Sequence, residues 1–160
     1  INNFKDGYIR LLQIRDYKND KFLTFIPKSE KHKTCTEKDI MIGRYGPPVF
    51  QILRGKSGAY NVALMKCVPD NKVLTNDWLY FFLKSKEVQR KIISLSTRVR
   101  QSGVRPDDLN ELMIPLPSIK EQEEMCNEIN SESHIIDQNN KLVSNFQGRI
   151  NQLIENLWNN

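Results

Sequence analysis

Apolar residues follow two different rhythms along this chain. Up to residue 117 they come in short runs broken by turn-forming residues, and beyond it they recur at long, even intervals. Residues 9–14 (IRLLQI) and 22–26 (FLTFI) are β-rich runs on either side of the turn-like Tyr17-Lys18-Asn19-Asp20. Another run begins at Asp39-Ile40-Met41-Ile42 and ends in the loop Gly43-Arg44-Tyr45-Gly46-Pro47-Pro48. Strands are predicted over 49–53 and 59–65, around Arg54-Gly55-Lys56-Ser57-Gly58, and a last one over 112–114. Thr75-Asn76-Asp77 is a good N-cap region for a helix over 78–84 (WLYFFLK), and Ser85 can cap a second over 86–95. Val88, Ile92 and Leu95 in that second segment recur at helical spacing. This order predicts a mixed α+β domain, β-rich and mostly antiparallel.

The second rhythm opens at Ser118-Ile119-Lys120-Glu121, a capping box in which the Ser hydroxyl accepts from the N–H at Glu121 and Glu121 reaches back. Pro117 halts any preceding strand, and no proline follows it. Ile129, Ile136, Val143, Ile150 and Leu157 recur every seventh residue, with Met125, Phe146 and Leu153 in companion positions. The companion positions Glu132 and Asn139 are polar, which weakens the middle of the stripe and can set register. The expectation is a long C-terminal coiled-coil helix of about 40 residues, about 60 Å long at 1.5 Å per residue. Its own domain cannot cover that length, so the helix expects a helical partner.

Composition adds a boundary. Of 160 residues, 39% are apolar and 27% charged, too apolar for disorder and too polar for a membrane protein. No window approaches the roughly 18 apolar residues of a spanning helix, and the start INNFKDGYIR has no apolar signal-peptide core. The first residue is Ile, which suggests that residue 1 is not the natural start. The net charge of +5 is unevenly divided. Residues 1–117 hold 21 Lys and Arg against 12 Asp and Glu, a net +9; residues 118–160 hold 3 against 7, a net −4. Two parts are expected: a basic globular domain at 1–117 and an acidic helix at 118–160.

Candidate chemistry narrows by elimination. Cys35, Cys67 and Cys126 are odd in number and lack C-x-x-C spacing, which fits reduced thiols in a cytoplasmic protein better than zinc. His32 and His134 sit in polar surroundings and read as surface residues. Gly55-Lys56-Ser57 resembles the end of a phosphate loop, but the glycine required five residues earlier is Phe50. Gly46-Pro47-Pro48-Val49 lacks the side-chain acceptor and the stacking aromatic of an amino-methyltransferase motif. Pro69-Asp70 and Pro106-Asp107 are not followed by the Glu-x-Lys pair of magnesium nucleases. No catalytic, metal-binding or cofactor-binding constellation is left.

Positive charge and glycine coincide in two stretches. GRYGPPVFQILRGKSGAYN at 43–61 offers Arg44, Tyr45, Arg54, Lys56, Tyr60 and Asn61 near glycine turns. RVRQSGVR at 98–105 puts Arg98, Arg100, Gln101 and Arg105 around Gly103. Glycine lets backbone approach a phosphate, and Arg and Asn read guanine and adenine edges bidentately. A solvated loop with structural glycines accounts for the same pattern, and neither stretch matches a short DNA-binding signature.

Three segments in this order carry a specific likeness: DGYIRLLQIRDY near the start, EKDIMIGRYGPPVFQILRGKSGAYNVALMKCVP in the middle, and LMIPLPSIKEQ at 112–122. Residues 80–83 with Ser85, then Ile92, Gly103 and Leu109 follow the same order of elements. The chain resembles a target recognition domain of the specificity subunits of bacterial type I restriction-modification enzymes, over nearly its whole length. The resemblance implies a non-catalytic, cofactor-free role. The subunit chooses the double-stranded DNA sequence, a methyltransferase subunit modifies adenine, and a separate ATP-dependent restriction subunit translocates and cleaves. Specificity subunits usually carry two recognition domains and two helices that pair antiparallel as a spacer between half-sites. With one of each, this chain is expected to be half of a longer subunit, or a half-subunit that dimerises through the helix, with a shortened N-terminal lead-in. The interface residues of the helix are then Met125, Ile129, Ile136, Val143, Phe146, Ile150, Leu153 and Leu157. Two other classes stay open: a recognition domain excised from a fused methyltransferase and restriction enzyme, and a coiled-coil adaptor whose basic domain binds protein.

Overall fold

The computed structural model describes residues 1–46, 48–98 and 103–158, with 95–98 described in backbone only. Among the described residues, seven strands, two helices and two 3-10 turns precede one long helix. The strands are β1 (Tyr8–Leu12), β2 (Phe25–Pro27), β3 (Thr34–Cys35), β4 (Ile40–Gly43), β5 (Gln51–Leu53), β6 (Gly58–Tyr60) and β7 (Leu64–Cys67). The helices are α1 (Asn76–Lys84), α2 (Lys86–Arg98) and α3 (Ile119–Trp158), with 3-10 turns at Ile14–Tyr17 and Pro106–Leu109. One sheet has the order β2-β1-β6-β3, the other β5-β4-β7. Every pairing is antiparallel except β1 with β6, where Leu11 lies opposite Ala59 and Leu12 opposite Tyr60. The α+β class and its antiparallel bias are as the pattern predicts.

β4 joins the two layers because it is buried on both faces. Ile40 and Ile42 enter a core with Phe50, Leu79, Leu83, Val88, Ile92 and Val104, while Met41 packs with Leu12, Cys35 and Leu64. Successive strand residues point to opposite faces, so IMIG serves two cores at once. The close approach of β6 to β1 requires Gly58: at φ 155° an added Cβ would sit 2.5 Å from the Arg10 carbonyl oxygen.

Five strand expectations are corrected, the first four by a local hydrogen bond or a backbone angle. The run at 9–14 ends at Leu12, because the buried Asp16 carboxylate accepts from the Gln13 N–H (2.9 Å) and closes a 3-10 turn. The run at 22–26 pairs only from Phe25, after the Asn19 side chain takes the Lys21 N–H (3.1 Å) in a turn. The segment 49–53 pairs only from Gln51, since buried Phe50 has φ 64°, a left-handed angle that breaks the ladder. The segment 59–65 is two strands in different sheets. Asn61 divides it, its side chain accepting from the Ala63 N–H (3.0 Å) and its carbonyl from the Leu64 N–H (3.0 Å). Residues 112–114 form no strand; Leu112 and Ile114 pack on the larger core beside Pro115, which has no N–H to donate to a ladder.

The helix expectations fare better. Thr75 caps α1 by accepting from the Trp78 N–H (3.2 Å), and Ser85 stands before α2 with its hydroxyl 3.4 Å from the Val88 N–H. The capping box of α3 forms in both directions: the Ser118 N–H and hydroxyl donate to Glu121 (2.9 and 2.7 Å), and the Glu121 N–H donates to the Ser118 hydroxyl (3.4 Å). These bonds from Ser118 hold the Glu121 carboxyl below its ordinary range. Helix α3 runs 40 residues, and its buried side chains are Gln122 and Cys126.

Candidate nucleic-acid interface

Three segments meet where β4 ends. The Arg44 N–H donates to the Ala63 carbonyl (3.0 Å), and the Arg44 carbonyl accepts from the Val104 N–H (3.1 Å). The Arg44 guanidinium completes the clasp, its Nε–H donating to the Val104 carbonyl (2.9 Å) and Nη1–H to the Val62 carbonyl (3.0 Å). Tyr45 lies against Gly103, where an added Cβ would fall 2.5 Å from the ring. Residues 44–45, 61–64 and 103–106 are thereby one surface.

On that surface lies a cleft of about 480 Å³, lined by Lys31, His32 and Lys33 before β3, Arg44, Tyr60 and Asn61, Lys66 of β7, and Pro106. Four cations thus surround a phenol and an amide, the groups that meet phosphates and base edges. Lys66 reaches Asp39 at 3.4 Å. Burial alone would raise the Asp39 carboxyl; the N–H and hydroxyl of Thr36 and the Lys66 ammonium outweigh it and hold that carboxyl below its usual range. Burial also pushes the Tyr60 phenol up, so it stays protonated and able to donate at neutral pH. His32 is half-buried, its Nε2–H donating to the Pro27 carbonyl (3.0 Å).

The candidate recognition residues divide accordingly. Arg44, Tyr60 and Asn61 line the cleft, and Tyr45 and Arg105 belong to its flanking loops. Arg105 also opens a 3-10 turn, its N–H donating to Asp108 (2.7 Å). Arg54 lies elsewhere. Its Nη1 meets Asp77 at 2.5 Å and its guanidinium stacks 3.7 Å over the Tyr80 ring, in a separate cleft between β5, α1 and α3. Lys56 is likewise engaged, sharing the Asp20 carboxylate with Arg10 at 2.6 and 2.5 Å; the hydrogen bonds from Lys56 and Arg10 hold that carboxyl low. The side chain of Arg98, at the end of α2, and residues Arg100 and Gln101 lie outside the described residues.

Lys31, Lys33 and Lys66 are not among the residues that the sequence points to, and His32 reads there only as a surface residue. The run KSEKHK at 28–33 carries a visible basic signal without glycine. Lys66 has no local signal at all; the pairing of Lys66 with Met41 in the sheet brings it there. Among the described residues no cluster of three or more His, Cys, Asp or Glu could hold a metal, and no helix is long and apolar enough to cross a membrane. The cysteines are unpaired; burial pushes the Cys35 and Cys126 thiols up and that of Cys67 to about 11, away from thiolate at neutral pH.

On α3 the candidate interface residues stay uncovered within the chain. Ile136, Val143, Phe146, Ile150, Leu153 and Leu157 are all at least half exposed, Met125 is nearly so, and Ile129 is half-buried. Ile135, Leu142 and Ile154 stand exposed beside them, so the stripe is broader than the sevenfold repeat alone.

A family model described as the type I restriction modification DNA specificity domain matches residues 3–131, through the link and into the first third of α3. The chain is similar to the specificity subunit of the type I restriction enzyme EcoKI of Escherichia coli strain K12, 26% identical over 135 residues, 76% of this chain and 29% of that protein. It is also similar to the EcoBI specificity subunit of Escherichia coli, 27% identical over 95 residues (59% and 20%). The MjaVIII specificity subunit of Methanocaldococcus jannaschii is 23% identical over 141 residues (86% and 32%). The chain spans between a fifth and a third of the length of these curated relatives.

Proposed function

The chain belongs to the family of type I restriction modification DNA specificity domains, and from that premise we propose that it is one recognition half of a specificity subunit. In this reading residues 1–117 read one half of a bipartite duplex site. Residues 118–160 meet a second half, or a second copy, along the exposed stripe of α3. The assembled subunit directs a methyltransferase subunit, and through it a restriction subunit, to that site, and itself carries no catalytic group.

The observation that carries the reading is the cleft where Lys31, Lys33, Arg44 and Lys66 surround Tyr60 and Asn61. Ammonium groups dock on phosphates and supply salt-dependent affinity; side chains able to donate and accept read base edges. Tyr45 and Arg105 flank the cleft and contribute to the same readout. Arg98, Arg100 and Gln101 extend the set from the 98–105 stretch. Arg54 and Lys56, held by Asp77 and Asp20, support the fold rather than the base contacts.

A gel-shift series with random duplex over increasing salt tests the reading. Each phosphate contact contributes about −0.9 to the slope of log affinity against log salt, so several contacts give a steep decline. A flat response points instead to a domain that binds protein. Selection from a random DNA pool, with the methyltransferase subunit present, then identifies the bases of each half-site.

A further inference from the structure

Helix α3 meets the domain over its first three turns, where Ile119 and Ile129 are half-buried on either side of Gln122 and Cys126. Its buried side chains are Gln122 and Cys126, and from Ile135 onward its large apolar residues stand in solvent. The link before it has no regular structure and contains Pro115 and Pro117. A long helix on such a link has the make-up of a hinge, yet here one carboxamide ties the junction.

Gln122 is fully buried. Its Oε1 accepts from the Thr75 N–H (2.9 Å), and its Nε2 donates to the Val73 carbonyl (2.8 Å) and the Pro117 carbonyl (2.9 Å). One side chain on α3 thus grips the loop before α1, the N-cap of α1, and the end of the link. Trp78 of α1 adds a bond from its Nε1–H to the Pro115 carbonyl (2.8 Å). A glutamine presents one acceptor oxygen and two donor hydrogens at this reach; an ionised glutamate has no donor, and methionine has neither donor nor strong acceptor. Either replacement leaves buried backbone groups unmatched.

We propose that Gln122 is a positioning residue that sets the angle between the recognition domain and α3, and through it the number of base pairs separating the two half-sites. The second step rests on the function proposed above. From Gln122 to Trp158 the helix rises through 36 residue steps, about 54 Å at 1.5 Å per residue. A swing of about 10° at the junction moves the far end by about 9 Å, close to the rise of three base pairs. A recognition surface cannot keep its register with a second half through that much freedom.

Spin labels carried by unnatural side chains at exposed Lys28 and Gln152 of the full chain, diluted with unlabelled protein, report this angle as a distance distribution. The wild type should give one narrow distribution. Gln122→Glu and Gln122→Met should shift or broaden it by several ångströms, the displacement that about 10° produces over this lever arm. If the glutamate variant does not fold, the uncharged methionine variant carries the measurement. Cys126→Ala removes the other buried side chain of α3 without touching the three bonds, so it should lower stability and leave the distribution narrow. In selected DNA, Gln122→Met should change or spread the separation of half-sites while the bases preferred within each half stay the same. A distribution as narrow as the wild type's in the folded Gln122 variants overturns the proposal, as does equal broadening in Cys126→Ala. So does an unchanged half-site separation in Gln122→Met where the wild type selects one. A wild type that selects no bipartite DNA defeats the functional reading alone, since the distance measurement judges the junction without DNA.

Discussion

In the domain, Ile40, Ile42, Phe50 and Ile92 have at most 1% of their surface exposed, whereas Ile136, Val143, Ile150 and Leu157 on α3 keep between 53% and 78%. Both regions carry large apolar residues; the difference lies in what the chain supplies to cover them. The three-stranded sheet, α1 and α2 turn their apolar faces toward one another and close a core. The stripe on α3 is covered within the chain near its start, where Gln122 and Cys126 are buried and Ile129 is half-buried, and stands exposed from Ile135 onward. Helices in proteins draw most of their stability from packing of an apolar face. The domain is therefore expected to fold at any concentration, and the outer part of α3 to be stabilised by whatever binds it.

The largest expected effect falls on the uncovered region. Ile136→Asp with Val143→Asp should remove about 3–6 kcal/mol of apolar burial per helix and add charge to the seam. If copies pair through α3 as proposed, light scattering should then show loss of that self-association, while the domain's melting stays as in the wild type. A dimer that survives both changes points to another interface and breaks the contrast between the regions. Next comes the covered region: Ile92→Ala should cost about 2–5 kcal/mol in urea denaturation without altering association through α3.

Arg44 separates structural from recognition roles within the domain. Arg44→Ala deprives the carbonyls of Val62 and Val104 of their donor and should cost about 1–3 kcal/mol as well as weakening duplex binding. Lys33→Ala, at an exposed position, should leave stability within about 0.5 kcal/mol and lower the salt slope by about one contact. If Lys33→Ala leaves both affinity and slope at wild-type values, the cleft is not where phosphates dock.

The smallest effect lies at the boundary. Ser118→Ala should cost about 1 kcal/mol and fray the first turn of α3. The Glu121 carboxyl is held low in the folded state, so its contribution is complete above the ordinary glutamate value and is lost as pH falls through the depressed folded value. Wild-type helicity measured by circular dichroism should therefore decline as pH falls below the ordinary glutamate value of about 4.3, and Ser118→Ala should show less of that decline. An identical pH profile in both would detach the effect from the cap.

Features confined to a few consecutive residues were legible before any coordinates. Thr75, Ser85 and the Ser118–Glu121 box act through hydrogen bonds to groups three residues away, and the sevenfold stripe of α3 is a property of one helix. The failures in the strands have equally local causes, but ones that compete with alternation. Asn61 reads as a strand residue until its side chain is seen closing a turn, and Phe50 does so until its left-handed angle is known. Arg54 and Lys56 look as free as Arg44 in the sequence. Their partners Asp77 and Asp20 lie 23 and 36 positions away, beyond the reach of any local pattern.

By itself, then, the order of residues determined the division into a basic domain and an acidic helix, the caps, the apolar stripe and the family likeness, because each is written in charge or in spacing along one element. The tertiary structure decided which cations share a cleft, that Arg44 clasps the strand end to two distant loops, and that Gln122 locks the helix to the domain. Those outcomes depend on which carbonyl or carboxylate the fold brings within about 3 Å of a donor, and strand pairing and helix docking settle that across separations of tens of residues.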